Sequence, residues 1–294
     1  MCAPKRFRRA KLRGALCALA SGALSRASGK ALAADLSGAA VMKNPLCIIL
    51  AAVRAVCALL HFFIYLPLLG ISRLWSQHAA LIVARSCARG LLCILGVSLR
   101  IKGSAASWRD RSIIVCNHIA YLDILVVLAG LKRPFIFVAD HSTFRVPGLA
   151  LAMRFCGCIP ISQGSPASIR KCLTRAEAFI RGGCSVMIFP EGGINRTGDV
   201  YTLMRVSFGF KCIADTVGAA VYQITLYGCE RIQRSPFKFW QYAGVHLHPS
   251  PVYQGASAAE GALPREERRL REELAARLTA RNREAAMALA GVVE

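Results

Sequence analysis

Acidic side chains are scarce in this chain of 294 residues. Only 16 Asp and Glu stand against 38 Lys and Arg, giving a formal charge of +22 and a pI near 10.1. Charged residues make up 18% of the chain, below the roughly 25% of an average soluble domain. Apolar residues take their place at 55%, with a mean hydropathy of +0.43. That balance excludes disorder for the bulk of the chain, because disordered segments join high charge to little apolar surface. It also argues against a nucleic-acid module, which pairs basicity with a polar surface. Basic and apolar together suit an anionic membrane surface.

No Cys-x-x-Cys pair occurs among the 13 cysteines, which are scattered from Cys2 to Cys229. An odd number without pairing suits neither a disulfide framework nor a zinc knuckle, so no metal is expected. The closest two, Cys156 and Cys158, read as small buried apolar residues. A reducing, cytosol-facing location follows.

The length is that of one sizeable domain with appendages. Residues 1–43 carry nine Lys and Arg against the single acid Asp35. Gly14, Gly22, Gly29 and Gly38 break their apolar stretches before any reaches the length of a signal-peptide core. This segment reads as a flexible basic arm; translation starting at Met42 is the alternative. Residues 45–71 are apolar except for Arg54 and His61, long enough for the ~20 residues that cross a hydrocarbon layer. Arg54 and Pro67 weigh against a straight span. Residues 79–97 set Arg85 and Arg89 one turn apart among Leu81, Ile82, Leu92 and Ile94, the pattern of a helix lying in an interface. The expectation for 44–97 is a membrane-associated helical pair.

Beyond Gly96 short β-rich runs alternate with helix-length ones. Strands are expected at 99–102, 112–116, 135–139, 158–162, 185–189, 220–226 and 245–252, and helices near 121–130, 147–157, 165–181 and 208–217. Such alternation predicts an α/β layered sheet with flanking helices over 98–258, its functional groups at strand ends. Residues 259–294 read as a charged, solvated terminal helix.

Two strand ends carry candidate chemistry. Asn117-His118 follows an apolar strand, with Asp123 five residues after the histidine. On a continuous helix that spacing sets the two side chains about 140° apart. They meet only if His118 lies on a strand-to-helix turn and Asp123 in the first helical turn. There the carboxylate holds one imidazole nitrogen and frees the other to take a proton from a hydroxyl. The second end is Phe189-Pro190-Glu191-Gly192-Gly193, followed by Asn195-Arg196. Its glycines allow close backbone approach and present N–H groups to an anionic or polyol ligand, while Glu191 can accept hydroxyl protons.

In order and separation, these motifs resemble those of the PlsC-like glycerophospholipid acyltransferases over residues 75–230. The family's NHxxxxD block matches Asn117, His118 and Asp123, and its FPEG block matches Phe189, Pro190, Glu191 and Gly192. Between them, Phe144-Arg145-Val146-Pro147-Gly148 and the run from Gly157 to Gln163 fit a looser second block. Residues 221–226 stand in place of the fourth.

The resemblance implies a mixed sheet like that of glycerol-3-phosphate acyltransferases and acyl transfer at the cytoplasmic face of a bacterial-type inner membrane. The donor would be acyl-CoA or acyl-carrier protein, and the acceptor a lysophospholipid, foremost 1-acyl-sn-glycerol-3-phosphate. No cofactor is implied. It makes His118 the general base and Asp123 its orienting partner. Asn117, Phe189, Pro190, Glu191, Gly192, Gly193 and Arg196 become substrate-binding. No Gly-x-Ser-x-Gly elbow is present, and Cys116 should point away from His118, so a covalent acyl-enzyme is disfavoured. The chain departs from the family at three places: Gln163 stands where Arg is common, Gly193-Ile194-Asn195 where Thr-Arg-Ser is common, and Gln223 where Pro is frequent. Arg145, Arg170, Lys171 and Arg196 are the nearby cations. A different lysolipid acceptor, or a non-catalytic lipid-binding role, remains the alternative.

Overall fold

The strand Ile113-Ile114-Val115-Cys116 is buried on both faces, as the middle strand of a parallel sheet must be. In the computed structural model, which describes residues 45–196, 203, 206–234, 241–255 and 264–290, this strand lies inside an eight-stranded sheet. The expected basic arm over 1–43 and the start at Met42 lie outside the described residues. The strands are β1 (Val97–Gly103), β2 (Ile113–Cys116), β3 (Phe135–Asp140), β4 (Ile159–Ile161), β5 (Ser185–Ile188), β6 (Ala220–Tyr227), β7 (Gln241–Leu247) and β8 (Tyr253–Gln254). Their order is β1-β7-β6-β2-β5-β3-β4, with β8 also on β6. The β6–β7 and β6–β8 pairs are antiparallel and the rest parallel, so the sheet is mixed.

Alternation along β2 divides the core. Ile114 and Cys116 face a layer that includes Ala88 and Leu92 of α2 (Gln77–Ile94), Val126 and Val127 of α3 (Asp123–Gly130) and Ile232 of α7 (Cys229–Arg234). Ile113 and Val115 face Cys172, Ala176 and Ile180 of α5 (Pro166–Arg181), Phe210 of α6 (Gly209–Val217) and Leu274 and Leu278 of α8 (Pro264–Ala290). Each fully buried Val, Ile, Leu or Phe among them contributes roughly 1.5–3 kcal/mol over exposure. The remaining helices are α1 (Pro45–Trp75), which runs through Pro67 without a break, and α4 (Leu149–Phe155). The expected strand over 245–252 stops at Leu247, because Pro249 and Pro251 have no N–H to give the ladder.

Among the described residues one helix, over Ile48–Trp75, is long and apolar enough to cross a membrane. From Arg54 onward it has two faces. His61, Tyr65 and Leu69 turn inward: His61 Nε2 bonds the Cys87 carbonyl at 3.2 Å, Tyr65 meets the Ser86 hydroxyl at 3.0 Å and Leu69 packs with Ala84. Gly90 makes this approach possible, because a Cβ there would collide with the His61 ring. Outward, Val56, Leu59, Leu60, Phe63, Ile64 and Ile71 are all more than half exposed.

Helix α2 differs from the interfacial helix expected. Its Ala80, Leu81, Ala84, Cys87, Ala88, Leu91 and Leu92 are buried within the protein. Arg85 bonds the Arg133 carbonyl and Arg89 Nε the Ala129 carbonyl, the latter at 3.3 Å. These two bonds tie α2 to the end of α3 and to the loop that follows it.

The C-terminal helix also differs from expectation. Leu274, Leu278, Asn282 and Ala285 form a buried stripe at helical spacing. The Gln223 amide donates to the Leu278 carbonyl and to Asn282 Oδ1 at 2.8 and 2.9 Å, and the Thr225 hydroxyl donates to the same Asn282 oxygen at 2.8 Å. His248 Nε2 lies 3.1 Å from Thr225 Oγ1 and 3.3 Å from His246 Nδ1.

Burial, with His246 and then Arg281 adding to it, pushes the His248 imidazole down to about 3 from its ordinary 6.5. Below pH 6.5 the unfolded chain takes up a proton that the fold refuses. Stability is therefore expected to fall progressively from about pH 6.5 toward 3. Melting temperatures at pH 7.5 and 4.5 check this: His248→Gln should lose less on acidification than the wild type, and equal losses refute the assignment.

Candidate functional site

The site forms where β2 ends. Asn117, 2% exposed, turns its side chain sideways onto β6: its amide donates to the Leu226 carbonyl at 3.1 Å and its Oδ1 accepts from Leu226 N–H at 2.8 Å. Both polar ends are used, so Asn117 clamps two strands and does not reach toward a ligand, contrary to the substrate-binding role expected of it. His118 follows on the turn. Asp123 opens α3, where an acid favours the positive end of the helix.

Asp123 is fully buried, and its Oδ2 accepts three hydrogen bonds: from His118 Nδ1 at 2.8 Å, Ile119 N–H at 2.7 Å and Ala120 N–H at 2.9 Å. The two amides fix the carboxylate, and the carboxylate fixes the imidazole in the tautomer that donates through Nδ1. The His118 side chain is 14% exposed, and its Nε2 has no partner among the described residues.

The Phe-Pro-Glu-Gly corner closes over this pair. Phe189 stacks on the imidazole with centroids 4.2 Å apart, and Phe137 lies behind it at 6.0 Å. Glu191 Oε1 accepts the His118 main-chain N–H at 3.1 Å, and Asn195 N–H donates to the His118 carbonyl at 2.7 Å. The corner therefore grips the backbone of His118 on both sides. Gly192 has φ +68°, and a Cβ there would strike the Gln163 amide, which donates to the Gly192 carbonyl at 2.9 Å. Gly193 faces open space, Arg196 is exposed and Pro190 is buried.

Beside the corner runs a polar groove of about 360 Å³ lined by Asp140, His141, Ser142, Arg145, Ser162, Gln163 and Gly192. Hydrogen bonds from Ser142 hold the Asp140 carboxyl below its ordinary value. Of the cations considered above, Arg145 lines the groove, whereas Arg170 and Lys171 stand exposed on α5 and do not. The sequence carried no signal for the Gln163–Gly192 bond, since it joins residues 29 positions apart. Cys116 is buried with its thiol pushed well above the ordinary value by desolvation and by the nearby Asp123 and Glu191 carboxylates, so it is a poor nucleophile.

Because Glu191 holds the His118 main chain, Glu191→Ala is expected to act on the chemical step. Losing a hydrogen bond to a charged group costs about 1.5–3 kcal/mol, roughly a 10–100-fold fall in kcat. Steady-state kinetics with varied acceptor check this, and a change confined to acceptor KM refutes it.

The family profile described as Acyltransferase matches residues 98–227. A 1-acyl-sn-glycerol-3-phosphate acyltransferase of Borreliella burgdorferi is 29% identical over 171 residues, 57% of this chain and 67% of that protein. The chloroplastic enzyme of the same name from Arabidopsis thaliana is 32% identical over 121 residues, 41% of this chain but only 33% of that protein. The crystal structure of the 1-acyl-sn-glycerophosphate acyltransferase PlsC from Thermotoga maritima shares the fold, with a TM-score of 0.57 at 17% identity, covering 80% of this chain and 96% of that one.

Proposed function

We propose that this chain, which belongs to the PlsC-like acyltransferase family, moves a fatty acyl group from a thioester to the free hydroxyl of 1-acyl-sn-glycerol-3-phosphate, giving phosphatidic acid. The observation that carries the reading is the 2.8 Å contact of His118 Nδ1 with Asp123, which leaves Nε2 without a partner among the described residues at the corner whose Gly192 lines the groove. Nε2 takes the proton of the acceptor hydroxyl as its oxygen attacks the thioester carbonyl. Asp123 stabilises the imidazolium that forms. When the C–S bond breaks, the imidazolium returns the proton to the departing thiolate, and no acyl-enzyme is needed.

The developing oxyanion needs an N–H donor. The amides of His118, Ile119 and Ala120 are already engaged by Glu191 and Asp123, and that of Gly192 by the Phe189 carbonyl. Gly193, whose amide has no partner among the described residues and on whose Cα a Cβ would meet open space, is the donor this reading assigns.

Residues 98–258 are the catalytic domain in this reading, and 44–97 dock it to the cytoplasmic face of a membrane through the outward apolar row of α1. Both substrates have an apolar tail, so a site at the bilayer surface spares their extraction into water. Arg145 in the groove is the cation placed for the acceptor phosphate. A second reading, a neutral or zwitterionic lysolipid acceptor, is favoured by the opposed charges of Asp140 and Arg145 in that groove. Purified protein in lipid, given palmitoyl-CoA or palmitoyl-acyl carrier protein with a panel of lysolipids, separates them by product mass. Phosphatidic acid as the main product supports the first reading. Acylation of neutral lysolipids alone supports the second, and no acylation with any pair refutes both.

A further inference from the structure

Helix α5 carries cations that the catalytic corner does not use. Arg170, Lys171 and Arg175 are exposed, in one row with Ala167 and Thr174 at helical spacing. Among the described residues none of the three has a carboxylate in ion-pair range, whereas Arg181 on the same helix is engaged by Glu177 at 2.7 Å. Lys171 and Arg175, one turn apart, repel each other, so the row is a cost to the helix with no carboxylate among the described residues to offset it. Ile169 beside it is 37% exposed.

Which surface meets this row follows from the layers. Helix α5 packs on the face of the sheet that bears Ile113 and Val115, whereas α2, on which the apolar α1 lies, packs on the face that bears Ile114 and Cys116. The cations of α5 thus stand in a layer other than the one on which α1 packs, which suits a partner that arrives from water. The first turn of α5 abuts the groove: Ser168 Oγ accepts the Ser162 N–H at 2.8 Å, and the next residue, Gln163, reaches the catalytic corner at Gly192.

The geometry points to the outer face of α5 as the docking surface of an acidic carrier protein that presents the acyl chain as a thioester on a flexible arm. This rests on the acyl-transfer reading above and names its donor. The cations begin about one turn from the groove and extend ~8 Å along α5, at 1.5 Å per residue. That spread suits an acidic helix laid along α5, and the two donors compared below separate it from the phosphates of coenzyme A. A docked carrier sits at the mouth of the groove, from which its arm follows Gln163 to Gly192 and His118. Attraction of this kind acts through encounter and is screened by salt.

The test uses the full chain in lipid nanodiscs, comparing wild type, the triple variant Arg170→Glu/Lys171→Glu/Arg175→Glu, and Lys132→Glu as a control at an exposed cation elsewhere. Three quantities are read: binding of palmitoyl-acyl carrier protein by titration, transfer from that donor and from palmitoyl-CoA, and binding of the detergent-solubilised proteins to phosphatidylglycerol vesicles. The triple variant is expected to bind the carrier at least tenfold more weakly and lose at least tenfold in kcat/KM through KM with the carrier donor. Its transfer from palmitoyl-CoA and its vesicle binding should be unchanged, and Lys132→Glu should match wild type. Equal carrier binding by wild type and triple variant overturns the proposal. So does loss of vesicle binding with carrier binding intact, which would make the row a membrane surface. Absence of transfer from both donors in the wild type counts against the acyl-transfer reading, and the titration still decides the docking surface.

Discussion

His118→Ala is expected to lower acyl transfer about 10²–10⁴-fold, the usual worth of a positioned general base, while leaving the fold and the membrane attachment in place. The imidazole is partly solvent-accessible and stacks on a single ring, Phe189. Its loss removes an aromatic contact of about 0.5–1.5 kcal/mol and one of the three hydrogen bonds to Asp123, whose carboxylate the Ile119 and Ala120 amides still hold. The exposed apolar residues of α1 lie on another element, and the backbone grips of Glu191 and Asn195 on residue 118 do not involve the ring. Single-turnover assays with lysophosphatidate, set beside thermal melts and vesicle flotation, separate these effects. Turnover near wild type means that the proton goes elsewhere and the proposed mechanism is wrong.

Asp123 is expected to show a double penalty that its partner does not. Asp123→Asn keeps the size but removes the charge that stabilises the imidazolium, and kcat should fall roughly 10³-fold or more, as for the orienting acid of a catalytic triad. Asp123→Ala goes further, because it strands two buried main-chain donors, Ile119 and Ala120 N–H, beside the imidazole. Each unsatisfied donor costs about 1–3 kcal/mol, so a marked drop in melting temperature accompanies the loss of activity. If both variants lose activity equally and neither melts early, the carboxylate is not the anchor of this turn. If Asp123→Asn retains activity, the imidazole is oriented by something else.

The difference between these residues shows which parts of the site could be read in advance. The five-residue interval between His118 and Asp123 permits contact only across a strand-to-helix turn, and the apolar run before His118 and the helical pattern after Asp123 place that turn between them. The corner at Phe189–Gly192 carries its own local signal, an apolar strand ending in Pro and two Gly. The roles of its neighbours were not legible. Asn117 is substrate-binding only by the resemblance to the family's first block, yet its partner is Leu226, more than a hundred positions away. Glu191 reads as an acceptor-binding acid, yet its oxygen holds the backbone of His118. A polar side chain at a strand end has several hydrogen-bonding options, and the adjacent strand decides among them.

The same holds at the level of elements. Arg85 and Arg89 in an apolar helix read as an interfacial pattern because charge among Leu and Ile suits a headgroup layer equally well; backbone carbonyls at the end of α3 claimed them first. The C-terminal helix, charged along most of its length, reads as solvated, and the stripe of Leu274, Leu278 and Asn282 became an inner face only when β6 offered Gln223 and Thr225 to meet it.

What the sequence determined by itself is therefore what depends on short range: strands and helices with their apolar faces, the turn that lets His118 meet Asp123, the glycines of the Phe-Pro-Glu-Gly corner and the long apolar helix that precedes them. Tertiary structure alone decided which polar groups line the groove and which brace the fold, which charges stay exposed and which bond to a carbonyl. The reason is that a buried polar group must find a hydrogen-bond partner or cost the fold heavily, and that partner is chosen by proximity across the sheet, a quantity that spacing along the chain does not contain.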